Sequence, residues 1–235
     1  MELLFKHTFF INLEERTDRL EHIENELKKM GIKGERINAV KSEKQGAIGC
    51  TLSHIRCLET AKQRDYEHIC IMEDDIEFRN PELFKQQIQK FSENTEIQWD
   101  VLLLAANVVP PYQSVGVYCA RVYNAQTTTG YIVKKEMYDV LLNNFKESAK
   151  LQMQNPIHAG THNPYAIDIY WKKLQPQYFW WIITPLTITQ YENHSNVEGR
   201  NINYDHLMLD MEKKWLFNKN EASPIRMNLG NISNS

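Results

Sequence analysis

Short apolar runs alternate with longer amphipathic segments through the first half of the chain. The runs at residues 9–13, 69–72 and 99–105 are typical of strands buried on both faces of a sheet. Between them, apolar residues recur at every third or fourth position over residues 20–30 and 47–62, the spacing of helices that pack one face on a core. Strands that alternate with helices in this way predict an α/β fold.

The second half of the chain is richer in predicted strands. Residues 115–123 alternate weakly, as in an edge or antiparallel strand, and residues 125–133 form a further strand with three threonines and a glycine. Residues 151–164 are polar and irregular, which predicts a mobile loop, and a helical stretch is expected over about residues 204–217. We therefore predict a single α/β domain over residues 1–217, a mixed sheet flanked by helices, and a polar C-terminal tail at 218–235.

Three consecutive acids, Glu73, Asp74 and Asp75, follow the apolar run at residues 69–72 directly. In an extended backbone Glu73 and Asp75 point to one side and Asp74 to the other. Adjacent carboxylates repel one another, and a hard divalent cation, Mg2+ or Mn2+, would offset that repulsion. Ligands also bind at the carboxyl ends of strands in open α/β sheets. The alternative is a solvated acidic turn before the helix that begins at Asn80-Pro81.

Arg16 and Arg19 lie where the first predicted strand meets the first predicted helix. A guanidinium group directs two donors at an oxyanion, and a helix N-terminus adds a favourable field for a phosphate. We therefore expect a phosphate-binding turn at this junction. The alternative is that both arginines form ion pairs with Glu14, Glu15 or Asp18.

Two more side chains are candidates because of their surroundings. His54 lies on the helix over residues 47–62, a short distance along the chain from the acidic triplet. A lone helical histidine is more often structural, and that interpretation stays open. Asp168 is a single acid among apolar and aromatic neighbours. Such a carboxylate is either well satisfied or kept for proton transfer.

Composition narrows the class of function. The net charge of -3 gives no polyanion-binding signature and argues against nucleic acid as a partner. The four cysteines contain no CxxC pair, which predicts buried free thiols in a reducing compartment. The sequence shows neither a signal-peptide pattern nor a run of transmembrane length. We therefore expect a cytoplasmic location, compatible with peripheral contact with a membrane.

Four sequence blocks resemble glycosyltransferase family 25, which includes bacterial lipooligosaccharide galactosyltransferases and collagen galactosyltransferases. The first three, in this order and spacing, are specific, although each alone is weak. The blocks are Phe10-Ile11-Asn12-Leu13 with Arg16 and Arg19, Ala47-Ile48-Gly49-Cys50-Thr51-Leu52-Ser53-His54, Ile71-Met72-Glu73-Asp74-Asp75, and Thr129-Gly130-Tyr131-Ile132-Val133. Together they span residues 9–133.

The resemblance implies a GT-A type, Rossmann-like fold, a nucleotide-sugar donor, a divalent metal ion and inversion at the anomeric carbon. The residues that it implies for the donor are Asn12, Leu13, Arg16, Arg19, Gly49, Ser53, His54, Asp74, Thr129 and Gly130. For the metal ion we expect Glu73 and Asp75, with His194 as a late histidine ligand and Asp74 directed at the ribose. Which of the three acids bind the metal ion stays open.

The activity that this resemblance implies is a metal-dependent, inverting transfer of a hexose, galactose or glucose. The donor would be a UDP-sugar, the cofactor Mn2+ or Mg2+, and the acceptor a hydroxyl of a glycan or glycoprotein, as in lipopolysaccharide biosynthesis. A base must take the proton of that hydroxyl, and Asp168 is the first candidate and Asp100 the second. The alternatives are a metal-dependent nucleotide-sugar hydrolase or phosphotransferase, and a non-catalytic glycan-binding relative.

Overall fold

The computed structural model describes residues 2–42, 45–157, 161–195 and 200–217. The predicted tail at 218–235 and part of the predicted loop at 151–164 lie outside these ranges. None of the helices in the described ranges combines the length and apolar content needed to cross a membrane.

Eight strands form one mixed sheet in the order β2-β1-β3-β8-β5-β9-β7-β6. Their bounds are β1 Thr8–Asn12, β2 Glu35–Asn38, β3 His68–Glu73, β5 Val101–Val108, β6 Tyr112–Val115, β7 Cys119–Val122, β8 Ala125–Lys134 and β9 Trp180–Ile183. Strands β2, β1 and β3 are mutually parallel, and β8 runs antiparallel to both β3 and β5. The mixed α/β class predicted from the sequence is confirmed.

Helices cover both faces of this sheet. They are α1 Thr17–Met30, α2 Gly46–Gln63, α3 Pro81–Glu93 and α4 Tyr138–Gln154, with three single turns, α5 Ile167–Tyr170, α6 Asp205–Met208 and α7 Lys214–Phe217. Both faces of β3 are covered, which explains why residues 69–72 are all apolar. Ile69 and Ile71 pack in the core cluster shared with α2 and α4, whereas Cys70 and Met72 pack in the cluster shared with α1 and α3.

The helix ends follow the local sequence. Asn80 caps α3, since its side-chain oxygen accepts a hydrogen bond from the Leu83 amide at 3.1 Å, and Pro81 takes the first helical position. Helix α1 ends at Gly31, which adopts the left-handed conformation with φ of 69°. These signals are local, and the two helix ends were therefore predictable.

Three predicted elements differ from the structure. Residues 115–123 are not one strand, because β6 and β7 form an antiparallel hairpin. Helix α4 continues to Gln154, so the predicted loop at 151–164 begins later. The predicted helix at 204–217 is two separate turns, α6 and α7.

A small second sheet joins the late part of the chain to the acidic triplet. Strand β4, Ile76–Phe78, pairs antiparallel with β10, Ile188–Gln190. The amide of Tyr191 then donates to the backbone oxygen of Asp75 at 2.6 Å. A third pair, β11 Asn193–Ser195 with β12 Arg200–Ile202, follows in the chain. The acidic turn is thus held from both sides, by the main sheet and by β10.

Candidate functional site

The three acids lie at the carboxyl end of β3. Glu73 is the last residue of the strand, and Asp74 and Asp75 form the turn before β4. Because the strand ends at Glu73, the alternation of extended backbone does not continue through the turn. The contacts divide the acids differently from the sequence expectation, since Asp74 and Asp75 share the Arg19 guanidinium and Glu73 contacts His54.

Arg19 forms ion pairs with two of the three acids of the turn. Its Nη1 donates to Asp74 Oδ1 at 2.9 Å and to Asp75 Oδ2 at 3.2 Å. Asn12, the last residue of β1, donates from Nδ2 to Asp74 Oδ2 at 2.7 Å. Burial raises the pKa of the Asp74 carboxyl group, and Arg19 and Asn12 oppose that rise. Both oxygens of Asp74 are therefore engaged.

Asp75 is the least compensated acid of the three. Burial raises the pKa of its carboxyl group to about 7, the neighbouring Glu73 adds to the rise, and Arg19 opposes it. Asp75 Oδ1 and Asn12 Oδ1 are buried acceptors for which the described residues supply no donor within hydrogen-bond range, although the Gln190 side chain lies near enough to Asp75 to lower its pKa. Buried acceptors without donors, next to excess negative charge, fit a divalent cation with oxygen ligands.

Glu73 has a separate set of partners. Its Oε1 lies 3.3 Å from His54 Nε2 and 4.0 Å from Cys50 Sγ, and the Thr128 hydroxyl donates to the same oxygen. Burial favours a higher pKa for Glu73, but the bond to His54, with Thr128 and Arg19, brings the pKa below its ordinary value. His54 and Cys50 come from adjacent turns of α2, so this helix supplies a second wall of the site.

A bulge in β8 supplies a third wall. Ala105 pairs with Gly130 and Asn107 with Gln126, so two steps along β5 correspond to four along β8. Thr127, within the bulge, has a positive φ of 81°. Such irregularities commonly redirect side chains beside functional sites. The bulge lets consecutive residues face different acids, since Thr128 donates to Glu73 and the Thr127 amide donates to Asp168.

Asp168 is the second residue of the short helix α5 and lies beside the bulge. Its Oδ2 accepts the Thr127 amide at 3.1 Å. Burial raises the pKa of the Asp168 carboxyl group, and Glu73 adds to the rise, whereas the Thr127 amide and Lys172 oppose it. Because Glu73 and Asp168 affect each other electrostatically, the structure brings Asp168 into the neighbourhood of the acidic turn.

Gly49 and Ser53, four residues apart on α2, pack the β2–α2 connection against this helix. A Cβ atom on Gly49 would lie 2.4 Å from the Val40 oxygen. Ser53 accepts a hydrogen bond from the Val40 amide at 2.8 Å and donates to the Gly49 oxygen at 2.7 Å. Among the described contacts, these two residues hold the chain after β2 against α2.

The structure does not bring Asp100 to the site. The Lys134 amide donates to the Asp100 oxygen at 3.1 Å, and Lys134 pairs with His68 at the start of β3. Asp100 therefore lies level with the amino-terminal end of β3, whereas Glu73 is at its carboxyl end. The length of β3 separates these two ends by about 15 Å. The Asp100 carboxylate accepts the Phe179 amide at 2.8 Å, which joins β5 to β9. The residues next to Asp100 in the sequence do not predict this position, because the direction of each strand decides at which end of the sheet a residue lies.

The other residues that the sequence predicts for the donor or the metal ion lie on several different elements. Arg16 pairs with Asp18 at 2.8 Å, as the alternative interpretation of the sequence held, and the Leu13 oxygen accepts the Arg16 amide at 3.0 Å. Thr129 and Gly130 are on β8, where a Cβ on Gly130 would lie 2.9 Å from Ile76 Cδ1. His194 is in β11, and its side chain lies outside the part of the chain that the structure describes.

Sequence reasoning missed Cys50 and Lys172, and it expected the threonines of residues 125–133 to carry small polar groups into a site without singling out Thr128. Cys50 precedes His54 by one helical turn, so the helical spacing was a usable signal. Lys172 follows Asp168 by the same number of positions. Thr128 carried no such signal, because its direction depends on the bulge.

Comparison with known proteins gives a family match. The family model "Glycosyltransferase family 25 (LPS biosynthesis protein)" matches residues 44–155, which contain three of the four sequence blocks. The human protein "Inactive glycosyltransferase 25 family member 3" is 24% identical over 143 residues. That alignment covers 48% of this chain and 24% of the human protein, so the chain matches about a quarter of the length of that relative.

The solved structures that resemble this chain are less similar to it in sequence than the human relative is. A glycosyltransferase involved in the glycosylation of the major capsid of PBCV-1 is 12% identical and covers 77% of this chain and 81% of its own, with a TM-score of 0.48. A Drosophila β-1,4-galactosyltransferase 7 mutant, in complex with manganese, UDP-Gal and xylobiose, is 11% identical, covers 92% and 81%, and has a TM-score of 0.42.

The family match over residues 44–155 supports the class of glycosyltransferases. Within that class, this region is similar to glycosyltransferase family 25, and the resemblance found in the sequence blocks is confirmed.

Proposed function

We propose that the protein transfers a hexose, with inversion, from a UDP-sugar to a hydroxyl of a glycan or glycoprotein acceptor. The observation that carries the proposal is the acidic turn at the end of β3, which lies inside the matched region and beside Arg19 and Asn12. The chemistry of these groups suits a diphosphate that gains negative charge as the sugar leaves. Galactose and glucose are the proposed sugars, and a cytoplasmic site of action is part of the proposal.

The nucleotide diphosphate would bind along the edge formed by the ends of β1 and β3. Arg19 is held by Asp74 and Asp75, and these carboxylates raise the pKa of its guanidinium despite burial, so it stays charged. A charged guanidinium in a partly buried position favours oxyanions strongly. The other residues proposed to contact the donor are Leu13, Arg16, Gly49, Ser53, His54, Thr129 and Gly130.

The residues proposed to hold Mn2+ or Mg2+ are Asp75, with its buried Oδ1, and Asn12 through Oδ1. His194 remains a proposed ligand from the sequence, whereas Glu73, also expected there, contacts His54 instead. When bound, such a cation neutralises charge that develops on the diphosphate. Asp74, with both oxygens engaged by protein donors, is proposed to orient Arg19 and to face the ribose.

Asp168 is the proposed general base. The Thr127 amide fixes its carboxylate, and its raised pKa makes it a better proton acceptor than an exposed aspartate. Lys172, whose own pKa burial lowers, opposes the rise in the pKa of Asp168. The acceptor hydroxyl would therefore approach from the side of the β8 bulge.

A thermal-shift series with UDP and UDP-sugars, each with and without Mn2+, tests the donor proposal. A ligand that binds only the folded state raises the melting temperature according to its concentration and affinity. We expect UDP and one UDP-hexose to stabilise the protein in Mn2+ and not in chelator. No shift with any nucleotide would overturn the proposal.

A non-catalytic function is the second candidate, because the human relative is named inactive. In that case UDP-sugar binding could persist while transfer is absent. Incubation of the stabilising UDP-sugar with acceptor glycans separates the two: glycan-dependent UDP release supports transfer. UDP release without acceptor would instead indicate a hydrolase.

A further inference from the structure

Cys50, His54 and Glu73 form a cluster around Glu73 Oε1, apart from the Arg19 contacts of Asp74 and Asp75. Each offers one potential metal-ligand atom, and the three atoms lie within 4.8 Å of one another. Two come from one face of α2, four residues apart, and the third comes from the end of β3. The cluster therefore rests on two regular elements, which hold ligands more rigidly than loops do.

The distances suit a tetrahedral transition-metal site. With zinc–ligand bonds of about 2.0–2.3 Å, the nitrogen and oxygen ligands of a tetrahedron are about 3.3 Å apart and the sulfur and oxygen about 3.6 Å apart. The corresponding distances are 3.3 Å from His54 Nε2 to Glu73 Oε1 and 4.0 Å from Cys50 Sγ to the same oxygen. The distance from Cys50 Sγ to His54 Nε2 is at most 4.8 Å, against about 3.6 Å in such a tetrahedron, so the sulfur would need to move by up to about 1 Å through a side-chain rotation.

The second contact of His54 is compatible with metal binding. Nδ1 lies 3.0 Å from the Tyr131 hydroxyl, and a hydroxyl group can both accept and donate. His54 can therefore carry its proton on Nδ1 and leave the Nε2 lone pair for a metal, with Tyr131 as the acceptor. An outer partner of this kind fixes the ring orientation of metal-binding histidines.

The ligand set selects the kind of cation. A thiolate, an imidazole and a carboxylate prefer Zn2+ to Mn2+ or Mg2+, which favour oxygen ligands alone. The thiolate and carboxylate together carry two negative charges, which a divalent cation neutralises. Glu73 has 20% of its side chain exposed and Cys50 is half-buried, so the cluster is open to solvent on one side.

We propose that Cys50, His54 and Glu73 form a zinc site that is separate from the cation site at Asp75. The proposal does not depend on glycosyl transfer, because the ligands and their spacing define it. It assigns Glu73 to a different metal from the one expected from the sequence.

The first test uses the unaltered protein. Metal-free protein is treated with iodoacetamide, with and without one equivalent of Zn2+, and labelled peptides are quantified by mass spectrometry. We expect Zn2+ to protect Cys50, whereas Cys57, Cys70 and Cys119 are buried and serve as internal references. Cys50 labelling that Zn2+ leaves unchanged would overturn the proposal.

Cobalt provides a spectroscopic test. Co2+ added to the metal-free protein should give a thiolate-to-cobalt charge-transfer band in the near ultraviolet. The band should disappear in Cys50→Ser and remain in Cys57→Ser, a matched change on the same helix. In competition with a chromophoric chelator, Cys50→Ser should weaken Zn2+ binding at least about a hundredfold, beyond the loss typical of an outer partner. A band that persists in Cys50→Ser would contradict the assignment.

Asp75→Asn distinguishes the two cation sites. The cobalt band and Zn2+ affinity should be retained in this variant, because Asp75 is not a member of the cluster. Loss of both in Asp75→Asn would show that zinc binds at the acidic turn and would refute a separate site. These experiments measure metal binding and require neither nucleotide binding nor glycosyl transfer. Their outcome therefore tests the zinc site even if the protein does not bind a UDP-sugar.

Discussion

At the scale of single residues, the three acids lie in two different environments. Arg19 connects Asp74 and Asp75, whereas His54 and Thr128 hold Glu73. Identical or similar carboxyl groups thus differ in pKa, since donors lower that of Glu73 and burial raises those of Asp74 and Asp75. Different charge states at neutral pH give adjacent acids different chemical uses.

Asp75→Asn is expected to abolish Mn2+-dependent binding of UDP. The amide removes the charge that the cation needs, while Asp74 keeps its bonds to Arg19 and Asn12. Isothermal titration of UDP in Mn2+ measures the effect. Glu77→Gln is the control, because Glu77 lies two positions further on and pairs with Arg79 instead. Unchanged UDP affinity in Asp75→Asn would remove Asp75 from the cation site.

Asp168→Asn is expected to leave UDP binding intact and to reduce transfer at least about a hundredfold, the lower range for loss of a general base. The amide keeps the shape but does not accept the proton of the acceptor hydroxyl. Steady-state transfer assays measure the rate, and Asp100→Asn at the opposite sheet edge is the control, with activity near that of the parent protein. Full transfer activity in Asp168→Asn would exclude it as the base.

Lys172→Met is expected to shift the acid limb of the transfer rate to higher pH. Lys172 lowers the pKa of Asp168, so its removal raises that pKa and leaves the base protonated over a wider acid range. The pH profile of kcat/KM measures the shift. Lys173→Met is the control, because Lys173 pairs with Glu147. An acid limb that does not move, or moves to lower pH, would contradict the role of Lys172.

At the scale of elements, irregular backbone and close packing position the side chains. The bulge in β8 directs Thr127 and Thr128 at two different acids, and the close contact of Gly49 with Val40 fixes the chain after β2 on α2. A regular strand would send Thr127 and Thr128 to opposite faces of the sheet. The shape of the site therefore depends on the bulge in β8 and on glycine, which has no side chain, at position 49.

Gly49→Ala is expected to destabilise the fold by about 1–3 kcal/mol, the usual cost of overpacking. Alanine favours a helix by about 1 kcal/mol over glycine, but its Cβ would collide with the Val40 oxygen. Urea denaturation measures the change, with the exposed Gln63→Ala on the same helix as the control. A more stable Gly49→Ala would show that the β2–α2 connection yields without cost.

At the scale of the whole molecule, the site joins parts of the chain that are distant in sequence. Strands β1 and β3, helix α2 and the β8 bulge meet at one edge, and β10 closes the acidic turn from the far end of the chain. The Tyr191 amide donates to the Asp75 oxygen, so the position of this turn depends on β10. Stability at this edge and ligand binding should therefore be coupled.

Ile188→Ala tests that coupling. Ile188 is buried on β10 opposite Phe78, and its truncation should cost about 2–5 kcal/mol. Leu141→Ala on α4, buried in the other core cluster, should cost a similar amount. At a temperature where both remain folded, we expect UDP affinity in Mn2+ to fall only in Ile188→Ala. Equal affinities would show that β10 is not needed to position the acids.

The sequence by itself determined the α/β class, both capped helix ends and the location of the acids at a strand end. Each depends on local periodicity or on neighbouring residues. Tertiary structure alone decided that Asp74 and Asp75 share Arg19, that Thr128 reaches Glu73, and that Asp100 is at the wrong edge. These features depend on strand direction, register and a bulge, which long-range pairing sets and no local pattern encodes.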